Sequence, residues 1–513
     1  MKLNSFSSSS SPYNITSTSQ KDFSSSSRDE HKLSLRKHKI EDSIMKKRFQ
    51  DFKSSTTYSL NISSIQIPKT YENKTITSFS ELFLIVSSLL NSYSYNDICF
   101  GIILLRENNS ISSLTSESEL IQTGTHLYLL KVLSTYMKDV KVVNEIIIII
   151  SRMCSVYNDN IIELFTQIDY LTIYAKVFTL YVHDNVIKHN LIILLGNLVC
   201  KNTNVQSAFY KTEIFKAIFD LNSSIKEHND TKDLCIWFIT CFVQGIITNQ
   251  LLESKVNEVI IPCQKIFMEY VIYEQYTFNC LYGVYALSEH ENEDVIIAFI
   301  NNKQFMEYLL GISEKYYYLA NQILCNLFSN NKKIDAIVIK RYDCFSFLKR
   351  GLDMKHNLTR AEVLNTLMNL VSDENKEMCK MIIDKDIIIK VIAMLKEFIP
   401  LIVCNVLLLL RFIIKGCDNE MTHKLIHVGV VDEVMNTLRT NYDQNVIEKA
   451  IECIYIMTTQ ERALRLDENS GYVNAMERKG CKELLENILT KPINNEIERK
   501  TKFVLKLFQL SNI

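Results

Sequence analysis

Apolar residues in this chain recur at helical spacing from about residue 75 to residue 510, and the pattern repeats itself. Eight strongly apolar helical stretches stand out: Glu145–Cys154, Asn190–Val199, Leu234–Val243, Asn279–Leu287, Ala320–Leu327, Ala361–Leu370, Asn405–Ile414 and Ala450–Met457. Aligned on one position they give Met153, Asn197, Cys241, Ala286, Asn326, Asn369, Phe412 and Met457. The successive steps are 44, 44, 45, 40, 43, 43 and 45 residues. A second marker, the helix ends at Leu352, Leu395 and Leu438, steps by 43 twice. Within one period a short helix (Glu377–Asp384) leads to a second (Asp386–Leu395) and then to a third, more apolar one (Leu401–Ile414). Weaker units at about 75–107 and 462–510 bring the array to roughly ten. No such trio can bury its apolar face alone, so stacking of neighbours must supply the core.

A period near 40–47 residues is that of armadillo and HEAT repeats, and three helices per period favours armadillo. The expected fold is all-α: a right-handed armadillo-repeat superhelix, an α-solenoid of about ten three-helix repeats, over residues 75–510. Composition agrees. Only 11 Gly and 5 Pro occur in 513 residues, too few for folds that turn at short intervals. The longest apolar stretch, Leu401–Ile414, is 14 residues long and holds Asn405 and Arg411. No membrane insertion is expected, since a span needs about 18 apolar residues. Fourteen cysteines without CxxC or CxC spacing read as buried, reduced thiols of an intracellular protein.

Charge divides the chain. Residues 1–60 carry 11 Lys and Arg against 6 Asp and Glu, whereas the whole chain has a net charge of −1. Residues 1–27 include 12 serines and are expected to be a disordered tail. A basic helical pattern follows in 28–53, then a polar linker over 54–74. A basic tail ahead of a mildly acidic body seeks an acidic partner, nucleic acid, an anionic membrane or its own body.

Little suggests catalysis. No phosphate-binding loop, dinucleotide fingerprint, HExxH or GxSxG is present, so no enzyme activity, cofactor or metal is expected. His423 and His427 share a helix face without further ligands. Glu289, Glu291, Glu293 and Asp294 read as a solvated link between helices, or as an attractor of basic ligands.

The basic segment is more particular: RDEHKLSLRKHKIEDSIMKKRFQDF runs from Arg28, with LRKxK, the acidic pair Glu41-Asp42, two apolar residues and KKR in order. It resembles the importin-β-binding domain of the importin-α family, in which such a segment precedes ten armadillo repeats. The stretch NSGYVNAMERKG (Asn469–Gly480) and the helix after it resemble that family's atypical last repeat. The resemblance implies a nuclear import adaptor that shuttles between cytoplasm and nucleus. It would bind basic nuclear localisation signals of cargo proteins on its third helices and importin-β through its tail, without direct nucleic-acid contact. Arg28, Lys32, Arg36, Lys37, Lys39, Lys46, Lys47 and Arg48 would meet importin-β. Lys46-Lys47-Arg48 would fold back into the cargo groove when importin-β is absent.

In that family each third helix carries Trp and, four residues on, Asn, so both face one way. Here the pairs are Ile149/Met153, Ile193/Asn197, Trp237/Cys241, Tyr282/Ala286, Gln322/Asn326, Asn365/Asn369 and Leu408/Phe412. A key acidic residue is replaced by Lys201. Asn197, Trp237, Tyr282, Asn326 and Asn369 are therefore the candidate cargo-signal residues. Each has a plainer reading as well: core packing for Trp237 and Tyr282, a local capping or turn role for the asparagines. The eroded ladder leaves two other functions open, an armadillo scaffold without a transport role and an adaptor for non-basic cargo.

Overall fold

The structure is a computed structural model. It describes residues 58–511 apart from 72–75, 77, 108–116, 156–158, 200–202, 245, 247–248, 329–331, 373–374, 441–442, 465–470 and 492. The tail, the basic segment 28–53 and Lys201 lie outside the described residues. Among the described residues all regular structure is helical.

Ten third helices form the spine. They are α1 (Tyr95–Glu107), α2 (Val140–Ser155), α3 (Asn185–Val199), α4 (Asp230–Val243), α5 (Glu274–Ser288), α6 (Glu314–Leu327), α7 (Asn357–Val371), α8 (Pro400–Gly416), α9 (Gln444–Leu464) and α10 (Asn495–Ser511). Each packs on the next along the whole series. All eight stretches singled out by periodicity fall inside these helices. The expected trio in the eighth repeat is found as Lys376–Asp384, Ile387–Ala393 and α8, with a short 3-10 turn, Met394–Glu397, closing the second helix. The second-helix markers Leu352, Leu395 and Leu438 are all buried.

Polar residues set the joints. Asp343, Asn375 and Asp418 each accept a hydrogen bond from the backbone N–H three residues on, capping a helix start. In five repeats the turn from first to second helix passes through a left-handed residue. Gly124, Gly429 and Gly480 supply it at φ +65°, +89° and +71°, and Glu213 and Asp386 occupy the same place at φ 58°. Part of the small glycine complement is thus spent on one recurring joint. Twelve of the thirteen described cysteines are buried, Cys404 is half-buried, and none is paired. His423 and His427 are exposed, and so are Glu289, Glu291, Glu293 and Asp294. The last two sit in the first turn of Glu293–Asn301, where negative charge is favourable.

Candidate functional site: the third-helix face

An amide buried without a partner costs free energy, so each buried Asn must find a bond. The third helices find theirs in each other. Asn190 Nδ2 donates to Asn144 Oδ1 at 2.8 Å and Asn197 Nδ2 to Ser151 Oγ at 3.0 Å, both from α3 to α2. Asn279 on α5 donates to Asp233 on α4 at 3.0 Å. Asn326 on α6 reaches Ser288 on α5 at 2.9 Å, and Asn369 on α7 reaches the Cys325 carbonyl on α6 at 3.1 Å. Asn405 on α8 donates to the Ala361 carbonyl on α7 at 3.4 Å. Residues 144 and 151, like 190 and 197, are seven apart, two turns along one helix face. The asparagines are stitches between successive helices.

The candidate cargo-signal side chains are largely enclosed by the helices in this placement. Asn197, Trp237, Tyr282, Asn326 and Asn369 are 0, 2, 8, 4 and 6% exposed. The asparagine amides are turned toward the preceding helix because that is where their hydrogen-bond partners lie. Trp237 lies against α3: a β-carbon at Gly196 would meet its ring at 2.3 Å. The absence of a side chain at 196 therefore allows the indole to approach. The structure does bring the five residues onto successive third helices, α3 to α7, in the order the sequence implied. At the matching positions of α8, Leu408 and Phe412 are half-exposed. The importin-β-binding residues Arg28, Lys32, Arg36, Lys37, Lys39, Lys46, Lys47 and Arg48 lie outside the described residues.

What sequence reasoning missed is a strap. Residues 58–71, expected to be part of a linker, lie against α1 and α2 and reach Asp184, just before α3. Leu60 is buried and its backbone is gripped on both sides: its N–H donates to Glu145 Oε1 at 3.1 Å, and its carbonyl accepts from Arg106 Nη1 at 2.8 Å. Arg106 Nη1 also donates to Glu145 Oε1 at 2.8 Å, closing the ring of contacts between α1 and α2. Asn144 donates to the Tyr58 carbonyl at 3.3 Å, and the Tyr58 hydroxyl donates to Asp184 Oδ2, just before α3, at 3.0 Å. Further along, one side chain holds both backbone groups of Gln66. Asn96 Oδ1 accepts its N–H at 2.9 Å, and Asn96 Nδ2 donates to its carbonyl at 2.5 Å. Beyond the clamp, Ile65, Tyr71 and Ile76 pack on the cluster of Ile85, Leu89 and Phe100.

Electrostatics follow the contacts. Burial alone would lower the Arg106 guanidinium's proton affinity, but Glu107 and Glu145 outweigh it and raise it. The hydrogen bond to Asp184 holds the Tyr58 phenol above its ordinary value. Burial and the bond to Asp139 do the same for Tyr95. Sequence held one signal for this arrangement: Arg106 and Glu145 each adjoin a long apolar run, Cys99–Leu105 and Ile146–Ile150, where a charge needs a partner.

No family model and no curated protein sequence matches the chain. Among solved structures, an engineered protein from a structural-genomics programme superposes with a TM-score of 0.65 at 14% identity, covering 83% of this chain and 99% of that one. The fold is an armadillo-like α-solenoid. A designed armadillo repeat protein in complex with the peptide (KR)4 aligns over 47% of this chain and 98% of its own, at 18% identity and a TM-score of 0.41. A second designed armadillo repeat protein covers the same shares at 18% identity and a TM-score of 0.40.

Proposed function

We propose that this chain is a peptide-binding adaptor for nuclear import. Its third-helix face takes extended segments of cargo proteins, including basic localisation signals, and its basic segment 28–53 docks on importin-β. The observation that supports peptide binding is the strap. Side chains of α1 and α2 hold backbone N–H and carbonyl groups of a segment whose regular structure is one short 3-10 turn, Ile62–Ser64, which is how a solenoid can bind a peptide with little regard to its sequence. The transport role rests on the resemblance of the basic segment and of the last repeat to importin-α.

Deleting residues 28–49 from the full chain tests the docking half. Binding to purified importin-β, measured by biolayer interferometry, is expected to disappear. Unchanged binding would remove the adaptor reading and leave a scaffold. A lysine-rich signal peptide tests the cargo half, because a tail-deleted chain that does not bind it carries no basic cargo on this face.

A further inference from the structure

The strap's own chemistry defines a ligand class. We infer that the cradle formed by Asn96, Arg106, Asn144, Glu145 and Asp184 is a binding site for peptides of Tyr-x-Leu type from a partner protein, and that residues 58–66 are its built-in, replaceable occupant. The inference rests on the reading of the third-helix face as peptide-binding, but it concerns a different ligand from the basic signal.

The selectivity follows from the contacts. Glu145 is paired with Arg106 at 2.8 Å, and together they offer an acceptor for a backbone N–H and a donor for a backbone carbonyl. The residue at the Leu60 place must be apolar, because that side chain is buried. Two residues earlier, Asp184 accepts a hydroxyl from a tyrosine. That phenol also lines an open cleft of about 710 Å³ with Tyr95, Lys138, Asp139, Val140 and Lys141, which has space for flanking residues. Six residues after the leucine, Asn96 clamps a backbone unit of any sequence.

The occupant is lightly held and the cradle is not. Between residues 58 and 66 only Leu60 is buried, and residues 61–64 and 66 are exposed. Few buried apolar contacts mark a segment that opens at low free-energy cost. The gripping side chains stand on packed helices and keep their mutual ion pair without the strap, so an incoming peptide meets a preorganised site.

The probe is a fluorescein-labelled peptide of residues 56–68, TTYSLNISSIQIP, titrated against the full chain by fluorescence anisotropy. Leu60→Asp places a carboxylate beside Glu145 and releases the strap. This variant is expected to bind the probe at least tenfold more tightly than the unmodified chain, which its own strap blocks. Against the released chain, replacing the probe's tyrosine by phenylalanine and making Asp184→Asn are each expected to weaken binding about threefold, and together by no more than either alone. A Leu60→Asp chain with unchanged circular dichroism that takes the probe no better than the unmodified chain overturns the inference. So do tyrosine and Asp184 penalties that simply multiply. A lysine-rich peptide run in parallel keeps the two readings apart: its failure, with the probe bound, removes basic cargo and leaves this site standing.

Discussion

The two ends of the spine treat buried charge in opposite ways. In the first repeats Arg106 and Glu145 face an occupant from elsewhere in the chain, and each spends part of its hydrogen-bonding capacity on the Leu60 backbone. In the last three repeats the charges consume one another. Glu452 on α9 is paired with Arg411 on α8, with Lys449 at 3.2 Å and with Lys500 on α10 at 2.6 Å. Lys500 in turn reaches Glu448 at 2.5 Å and Glu496 at 3.3 Å. The same ingredients, a buried carboxylate and a cation from the neighbouring third helix, make a cradle where one more partner is admitted and a staple where the partners are all structural. A charge network left open to a ligand can serve recognition, and a closed one serves stability alone.

The staple should give the largest effect. Glu452→Gln removes the carboxylate that Arg411, Lys449 and Lys500 share, and is expected to cost about 3 kcal/mol, the lower end of the penalty for breaking a buried pair, because Lys500 keeps Glu448. Urea denaturation should show this loss while binding of the strap peptide stays unchanged. A loss of peptide binding as well would mean that the two ends do not act separately.

A smaller effect comes from pH at the same end. Burial alone would raise the Glu452 carboxyl, but Arg411, Lys449 and Lys500 outweigh it and hold it below its ordinary 4.5. Its contribution is complete above 4.5 and is lost as pH falls through the depressed value. Glu461, nine residues on in α9, goes the other way. Burial raises it above 4.5, although it accepts the Val473 N–H at 2.6 Å. Protonating Glu461 therefore adds stability as pH falls through its raised value, and the gain is complete below 4.5. Thermal melts on lowering pH should show a slight rise and then a fall. Glu461→Gln is expected to remove the rise and keep the fall.

The smallest effect belongs to the strap. Leu60→Ala removes its one buried anchor, yet the segment can detach without unfolding a repeat, so the stability cost is expected to be about 1 kcal/mol or less. Hydrogen exchange should show faster exchange of the Leu60 and Gln66 amides, with α1 and α2 unchanged. A cost near that of a core leucine, about 2 to 5 kcal/mol, would make the strap part of the fold rather than an occupant.

Much of the architecture was legible in the residues. The 40-to-45-residue steps placed the third helices inside their observed limits, because burial of an amphipathic face writes itself into the chain at every turn of helix. The solvated acidic link at Glu289–Asp294 was also readable, since it needs no partner far away in sequence.

The candidate site was legible only as positions. Asn197, Asn326 and Asn369 were correctly placed on third helices, but sequence could not say whether an amide there faces a ligand or a neighbouring helix. The partners that decide it, Ser151, Ser288 and the Cys325 carbonyl, lie 46, 38 and 44 residues away. Sequence by itself determined the repeat, its period and the order of its helices, because these follow from local periodicity. Only the tertiary structure decided which polar groups stitch the spine and which grip the strap. A hydrogen bond is satisfied between atoms brought together by stacking, and one repeat length of intervening chain leaves that pairing unwritten in either segment alone.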